Sequence, residues 1–223
     1  MPENSKPISE VFTQLYDDGG WGGGLPETVS GRGSLMKATK SIRMELPSFC
    51  KRFPINTFLD APCGDFNWMQ HVNLPGVFYV GADIVPSLIR KNNEEYGGPS
   101  RVFILCDIVK DPLPAVDFIS VRDLVQHLTL DAIFALINNA LNSNVKYIGI
   151  TSHKTDVPNT EVSDTGGYRP VDLFQAPFFL PEPLESLRDW EAGYTGERQL
   201  CIWSKQQLVD WAEKRDSIHS SPT

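Results

Sequence analysis

The chain has 223 residues, 41% of them apolar and 22% charged, and a net charge of −8. That length and composition are expected to give one soluble globular domain with a normal core, and the acidic balance argues against a general nucleic-acid binder, which needs a basic face. No apolar run approaches the ~20 residues that span a bilayer, and Met1 to Lys6 lacks the basic and apolar regions of a secretory signal, so a cytoplasmic protein without a membrane partner is expected.

In chain order, residues 1–9 are expected to be disordered, and 11–16 to begin a short helix. Residues 17–33 hold seven glycines around Trp21 and form a flexible loop. These glycines follow no strand, and no Gly-Lys-Ser/Thr occurs, which excludes a phosphate-binding P-loop. Ser34 is placed to cap a helix reaching Phe49, with Leu35, Ala38, Ile42 and Leu46 at three- and four-residue steps. Arg32, Lys37, Lys40, Arg43, Lys51 and Arg52 give this segment a local positive charge, read as a solvated helix face, with a docking patch for an acidic acceptor as the alternative.

Three β-rich runs then close on an acid: 57–60 on Asp60, 77–83 on Asp83 and 101–107 on Asp107. Between them lie a short helix over 67–72 and a second one from Pro86 to Tyr96, stopped by Gly97-Gly98-Pro99. A fourth strand spans 116–121. Thr129 caps a helix striped by Ile133, Ile137 and Leu141, and a fifth strand spans 145–150. Residues 151–183, rich in proline, acids and aromatics, form a long loop of the kind that is usually functional. Two strands, 184–190 and 199–203, flank Gly193-Tyr194-Thr195-Gly196, and a helix over 205–213 ends the pattern. No repeat or second domain is visible across 1–223. Cys50, Cys63, Cys106 and Cys201 have no metal-ligand spacing; Cys106 and Cys201 read as reduced core residues and Cys63 as a small residue in a turn, with a reactive thiol as its alternative.

The run Asp60-Ala61-Pro62-Cys63-Gly64-Asp65-Phe66-Asn67-Trp68-Met69, followed by Gly81-Ala82-Asp83-Ile84-Val85-Pro86, resembles class I S-adenosylmethionine-dependent methyltransferases. Their first strand ends in Asp-x-Gly-x-Gly-x-Gly. The likeness covers residues 57–128 and extends more loosely to 204. Its wording is similar to a narrower, poorly characterised group, some of whose members are associated with glycan-building enzymes. The resemblance implies an α/β fold: a Rossmann-like, doubly wound, seven-stranded sheet, mostly parallel with an antiparallel last strand, and helices on both faces.

It also implies S-adenosylmethionine as cofactor. Asp60 would favour the ammonium and sulfonium end, Gly64 would let the backbone approach the methionine part, and Asp83 would accept from both ribose hydroxyls. Asp107 would accept from the adenine amino group, with Ile84 and Ile108 around the ring. Ala61, Pro62, Cys63, Trp68 and Arg122 would complete the wall. Taken singly, each aspartate could be a turn or helix cap. Pro62 and Phe66 stand where the family carries glycines, so the turn should be shaped differently, with Phe66 or Trp68 bordering the pocket.

An alcohol acceptor needs a base near neutral pKa. His127 and Asp123, one helical turn apart after the fourth strand, are the first candidates, and His153 the third. Tyr168, Arg169, Asp172 and Phe178, with Phe179, are expected to bind the acceptor, and the glycine loop before residue 34 to fold over the cofactor as a lid. No metal is expected. The leading expectation is O-methylation of a hydroxyl on a glycan or other small molecule. The alternatives are a binding partner without turnover and methylation of RNA or protein. No Asn/Asp-Pro-Pro-Tyr/Phe motif follows the fourth strand, where Arg122-Asp123-Leu124-Val125 stands instead.

Overall fold

The computed structural model describes residues 6–19, 21, 24–162, 165–193 and 195–219. The expectation of disorder at 1–9 therefore lies, for residues 1–5, outside the described residues, as does Tyr194 of the hairpin turn; at Ile8 and Ser9 it is overturned, because a helix already begins at Ile8. Among the described residues, five α-helices, α1 (Ile8–Asp17), α2 (Lys40–Arg52), α3 (Pro86–Tyr96), α4 (Leu130–Asn142) and α5 (Lys205–His219), accompany seven strands. These are β1 (Thr57–Asp60), β2 (Phe78–Asp83), β3 (Arg101–Leu105), β4 (Val116–Val121), β5 (Val145–His153), β6 (Glu185–Arg188) and β7 (Arg198–Ser204).

They form one sheet in the order β3-β2-β1-β4-β5-β7-β6. The first five pair in parallel, and β7 runs antiparallel to both β5 and β6. Successive side chains of a strand point to opposite faces, and here they feed two separate cores. Phe58, Phe118, Leu200 and Ile202 pack with Ile42, Leu46 and Phe49 of α2. Leu59, Ile119, Ile148 and Trp203 pack with α4, with Leu208 and Trp211 of α5, and with Phe12 of α1. The doubly wound, mostly parallel sheet with an antiparallel last strand is the observed architecture.

Local signals explain the element ends. Thr129 Oγ1 accepts from Ala132 N at 3.2 Å, closing the start of α4, and Pro86 sits at the first turn of α3, where its missing N–H costs nothing. The helix expected from Ser34 starts instead at Lys40, and residues 32–34 form only a short 3-10 turn. Side chains elsewhere claim the backbone groups a helix would use: Met36 N donates to Glu27 Oε1, and Asn67 Nδ2 donates to the Ser34 carbonyl at 2.9 Å.

The strand order reverses between β1 and β4, which both neighbour each other and lead outward to opposite edges. Such a switch point opens a crevice beyond the strand C-termini, and those tips are where Asp60, Asp83 and the β4 exit lie.

Candidate active site

A cavity of about 480 Å³ fills that crevice. Asp60, Asp83 and Asp107 all line it, as do Ala61, Pro62, Cys63, Gly64, Trp68, Ile84, Ile108 and Arg122. The three carboxylates differ in their partners. Asp60 accepts from the Tyr79 hydroxyl at 2.7 Å, and burial pushes its pKa up to about 7 against that bond and the nearby Arg122 charge. Asp83 accepts from Gly64 N at 3.1 Å and Val85 N at 3.2 Å, and burial pushes it up to about 6 despite those donors. Asp107 accepts from Val109 N with Oδ1, while its buried Oδ2 makes no hydrogen bond, although Lys110 Nζ lies 3.3 Å away.

The turn after β1 is shaped as its sequence demands. Gly64 has φ +55°, and a Cβ there would sit 2.5 Å from Ser30 Oγ, so only glycine fits. Ala61–Pro62 is a cis peptide, and Phe66 takes the glycine-like φ of 60° at the position where the family carries glycine. Of the two aromatics expected at the pocket border, only Trp68 is there. The Phe66 ring turns into the other core, 5.2 Å from Tyr79 and Tyr96 and 5.1 Å from Phe103. Cys63 is buried and its thiol pKa lies well above the ordinary value because of that burial, which leaves the reactive-thiol alternative without a basis.

The N-terminal segment covers the cavity. Asp65 holds it down: Oδ2 accepts from Thr28 Oγ1 at 2.7 Å and Val29 N at 2.8 Å, and Oδ1 from Ser30 Oγ at 3.0 Å. Farther along, the Gly33 carbonyl accepts from Arg122 Nη2 at 2.8 Å.

Arg122 and Asp123 belong to a buried ion network. Arg122 donates through Nε and Nη2 to Asp189 Oδ1, and Arg198 bridges Asp189 Oδ2 and Asp123 Oδ2. Burial opposes ionisation of Asp123, but Arg198 and Arg122 outweigh it and bring its pKa down to about 2. A carboxylate held so firmly ionised is an anchor, not a proton acceptor near neutrality. Gln126 Nε2 also donates to it at 3.1 Å.

His127 is differently placed. It lines the cavity, and its Nδ1 lies 2.8 Å from the Gly167 carbonyl. A carbonyl only accepts, so Nδ1 carries the proton and the neutral ring keeps its Nε2 lone pair free. Burial lowers its pKa. Trp21 stacks on the ring at 4.7 Å, and Tyr168 stands 5.9 Å away.

Of the remaining candidates, His153, Arg169, Asp172 and Phe178 do not line the cavity. The sequence ends β5 at Ile150, whereas the strand continues to His153, whose Nδ1 lies against the Val171 backbone and whose buried Nε2 makes no hydrogen bond among the described residues. Arg169 donates to the Thr160 and Val125 carbonyls, Asp172 ties the loop to Asn159 and Gln175, and Phe178 packs on Phe134 at 5.0 Å. Among the described residues of that loop, Tyr168 alone lines the cavity. The loop acts on the site through its backbone, since Gly166 N donates to the His127 carbonyl and Arg169 N to that of Gln126. Trp21, from the loop expected as a lid, and Gln126, from the segment after the fourth strand that carries the base candidates, line the cavity too, as does Arg198, to which no spacing in the sequence points. Among the described residues no group of three or more His, Cys, Asp or Glu side chains is arranged to hold a metal, and no helix is long and apolar enough to cross a membrane. Of the basic segment, Arg52 pairs with Glu185 and Arg43 donates to the Met36 carbonyl, which spends two of its charges on packing.

No family model matches the chain, and no curated protein matches it in sequence. Solved structures do match. The 1,6-didemethyltoxoflavin-N1-methyltransferase of Burkholderia thailandensis, with its acceptor and S-adenosylhomocysteine bound, superposes with a TM-score of 0.61 at 14% identity, covering 88% of this chain and 86% of that one. The magnesium protoporphyrin IX methyltransferase of Synechocystis PCC 6803, with S-adenosylmethionine, gives 0.60 at 9% identity over 91% and 99%. The N-methyltransferase NodS of Bradyrhizobium japonicum WM9 gives 0.54 at 11% identity over 74% and 94%. The fold is that of class I S-adenosylmethionine-dependent methyltransferases.

Proposed function

We propose that this chain is an S-adenosylmethionine-dependent methyltransferase that O-methylates a hydroxyl of a small polyhydroxylated acceptor, such as a sugar unit. The residues of the crevice fit the cofactor. A cavity of about 480 Å³ is in the range that takes a small-molecule ligand. Gly64, in its positive-φ turn, brings its backbone N to Asp83 at the cavity wall, and Asp107 Oδ2, ion-paired with Lys110, makes no hydrogen bond and so offers an acceptor to the adenine amino group. Asp83 would take the ribose hydroxyls, Asp60 the cationic end, and Ile84 and Ile108 the flanks of the adenine. Arg122 would act by holding Gly33 over the ligand, its guanidinium being already engaged.

When bound, S-adenosylmethionine supplies an electrophilic methyl group and leaves as S-adenosylhomocysteine. The protein's own work is alignment, exclusion of water and removal of one proton. His127 carries the proposal: its free Nε2 accepts the acceptor's hydroxyl proton as the new O–C bond forms, and Asp123 nearby favours the resulting imidazolium. Trp21 and Tyr168 offer aromatic surface beside it, suited to the C–H faces of a sugar ring. The small-molecule acceptor held by the Burkholderia enzyme accords with an acceptor of that size.

The test is a transfer assay with methyl-labelled S-adenosylmethionine across monosaccharide glycosides, phenols and RNA, read by mass spectrometry. A product gaining one methyl on oxygen is expected. His127→Ala should lower kcat about 10²–10⁴-fold, the ordinary contribution of a general base, while cofactor affinity stays unchanged. Undiminished turnover in that variant would remove His127 from the mechanism.

A further inference from the structure

Trp21 comes from the glycine-rich segment ahead of the first strand, yet it lines the crevice beside His127. Its ring lies nearly parallel to the His127 imidazole, at 4.7 Å between centroids and 22° between planes. Phe12 of α1 meets the indole edge-on at 5.1 Å and fixes its position from behind. On its edge, the imidazole is held by the bond from Nδ1 to the Gly167 carbonyl. One residue therefore fixes the tautomer and another covers the ring face.

We infer that Trp21 is a positioning residue for His127: the N-terminal arm lays an aromatic plate over the imidazole, excludes water from its face and keeps it neutral, so that the site becomes competent only when the arm is in place. The inference rests on the reading of His127 as the base. Farther along the same arm, Asp65 binds Thr28, Val29 and Ser30, and Arg122 binds the Gly33 carbonyl.

Other charged groups facing the ring do not come from the arm. Asp123, at the β4 exit, favours protonation, and Arg169, from the long loop, opposes it; the Tyr168 ring stands 5.9 Å off. Burial is the larger influence and pushes the His127 pKa down. The indole face also attracts an imidazolium, but removing the plate admits water, and water reverses the dominant influence.

The experiment follows the titration of His127 by NMR in the full-length chain labelled with ¹³C-histidine, which has only four histidines to resolve. In Trp21→Ala the His127 midpoint should rise to the ordinary imidazole value of about 6.5. Trp21→Phe, which keeps an aromatic plate, should stay near wild type. The His153 resonance, from a ring buried behind the site, should be unchanged in both and reports an intact core. An unmoved or lower midpoint in Trp21→Ala, or an equal rise in Trp21→Phe, overturns the inference. S-adenosylhomocysteine binding, measured by calorimetry on the same samples, separates the two readings. Its absence from the wild-type protein would overturn the methyl-donor proposal, and the role of Trp21 with it.

Discussion

Asp60 and Asp83 are buried carboxyls that the free protein holds with pKa values of about 7 and about 6, against an ordinary 3.8. Their raised values mean that the folded chain retains protons that the unfolded chain has released. The stability these groups contribute is full below about pH 4 and is lost as pH rises through 6 and 7. A ligand bringing a cation to Asp60 and hydroxyl donors to Asp83 needs the ionised forms and pulls the other way. Thermal stabilisation by S-adenosylmethionine should therefore be larger at pH 8 than at pH 5.5, and melting curves at saturating ligand will show it. An equal shift at both pH values would mean that these carboxyls do not face the ligand's donors.

The β4 exit, the end of β6 and the start of β7 are joined by four charged side chains, Arg122, Asp123, Asp189 and Arg198. Asp189 is fully buried and lies between the two guanidiniums. Buried pairs of this kind stabilise little against an apolar replacement, but removing one partner strands a charge and costs roughly 3–5 kcal/mol. Asp189→Asn should lower unfolding stability by about that amount in chemical denaturation, and a loss under 1 kcal/mol would show that the network is dispensable. The long loop after β5 illustrates what a sequence conceals. Its aromatics and charges look like ligand-binding groups, yet Arg169 and Phe178 are buried and occupied within the fold. Residue type does not reveal which side of a loop faces in. The start of α2 was hidden for a similar reason, because Glu27 claims Met36 N and Asn67, 33 residues away, claims the Ser34 carbonyl.

Across the molecule, the parts that sequence made legible are those with local causes. Apolar runs ending in Asp60 and Asp83 mark parallel strand tips, Asp107 follows the end of β3 by two residues rather than closing it, and strand tips at a switch point define a crevice wherever the chain later goes. Thr129 and Pro86 likewise act within their own helices. Contacts that cross the chain were not legible. Trp21 on His127, Gly33 under Arg122 and the carbonyl of Gly167 on Nδ1 each join residues 40 or more positions apart, or in the case of Gly33 and Arg122, 89. Phe66 is intermediate: its position in a glycine pattern signalled a special backbone, but not that its ring would leave the pocket.

The adenosyl ligand is proposed to lie across the β1 and β2 tips, and isothermal calorimetry with S-adenosylmethionine on wild type and Asp83→Ala is the decisive experiment. One cofactor should bind per wild-type chain, and the variant, having lost the acceptor for both ribose hydroxyls, should bind at least 10²-fold more weakly, about 3 kcal/mol for two charge-assisted bonds. Wild-type affinity in Asp83→Ala, or no binding by the unmodified chain, would contradict it.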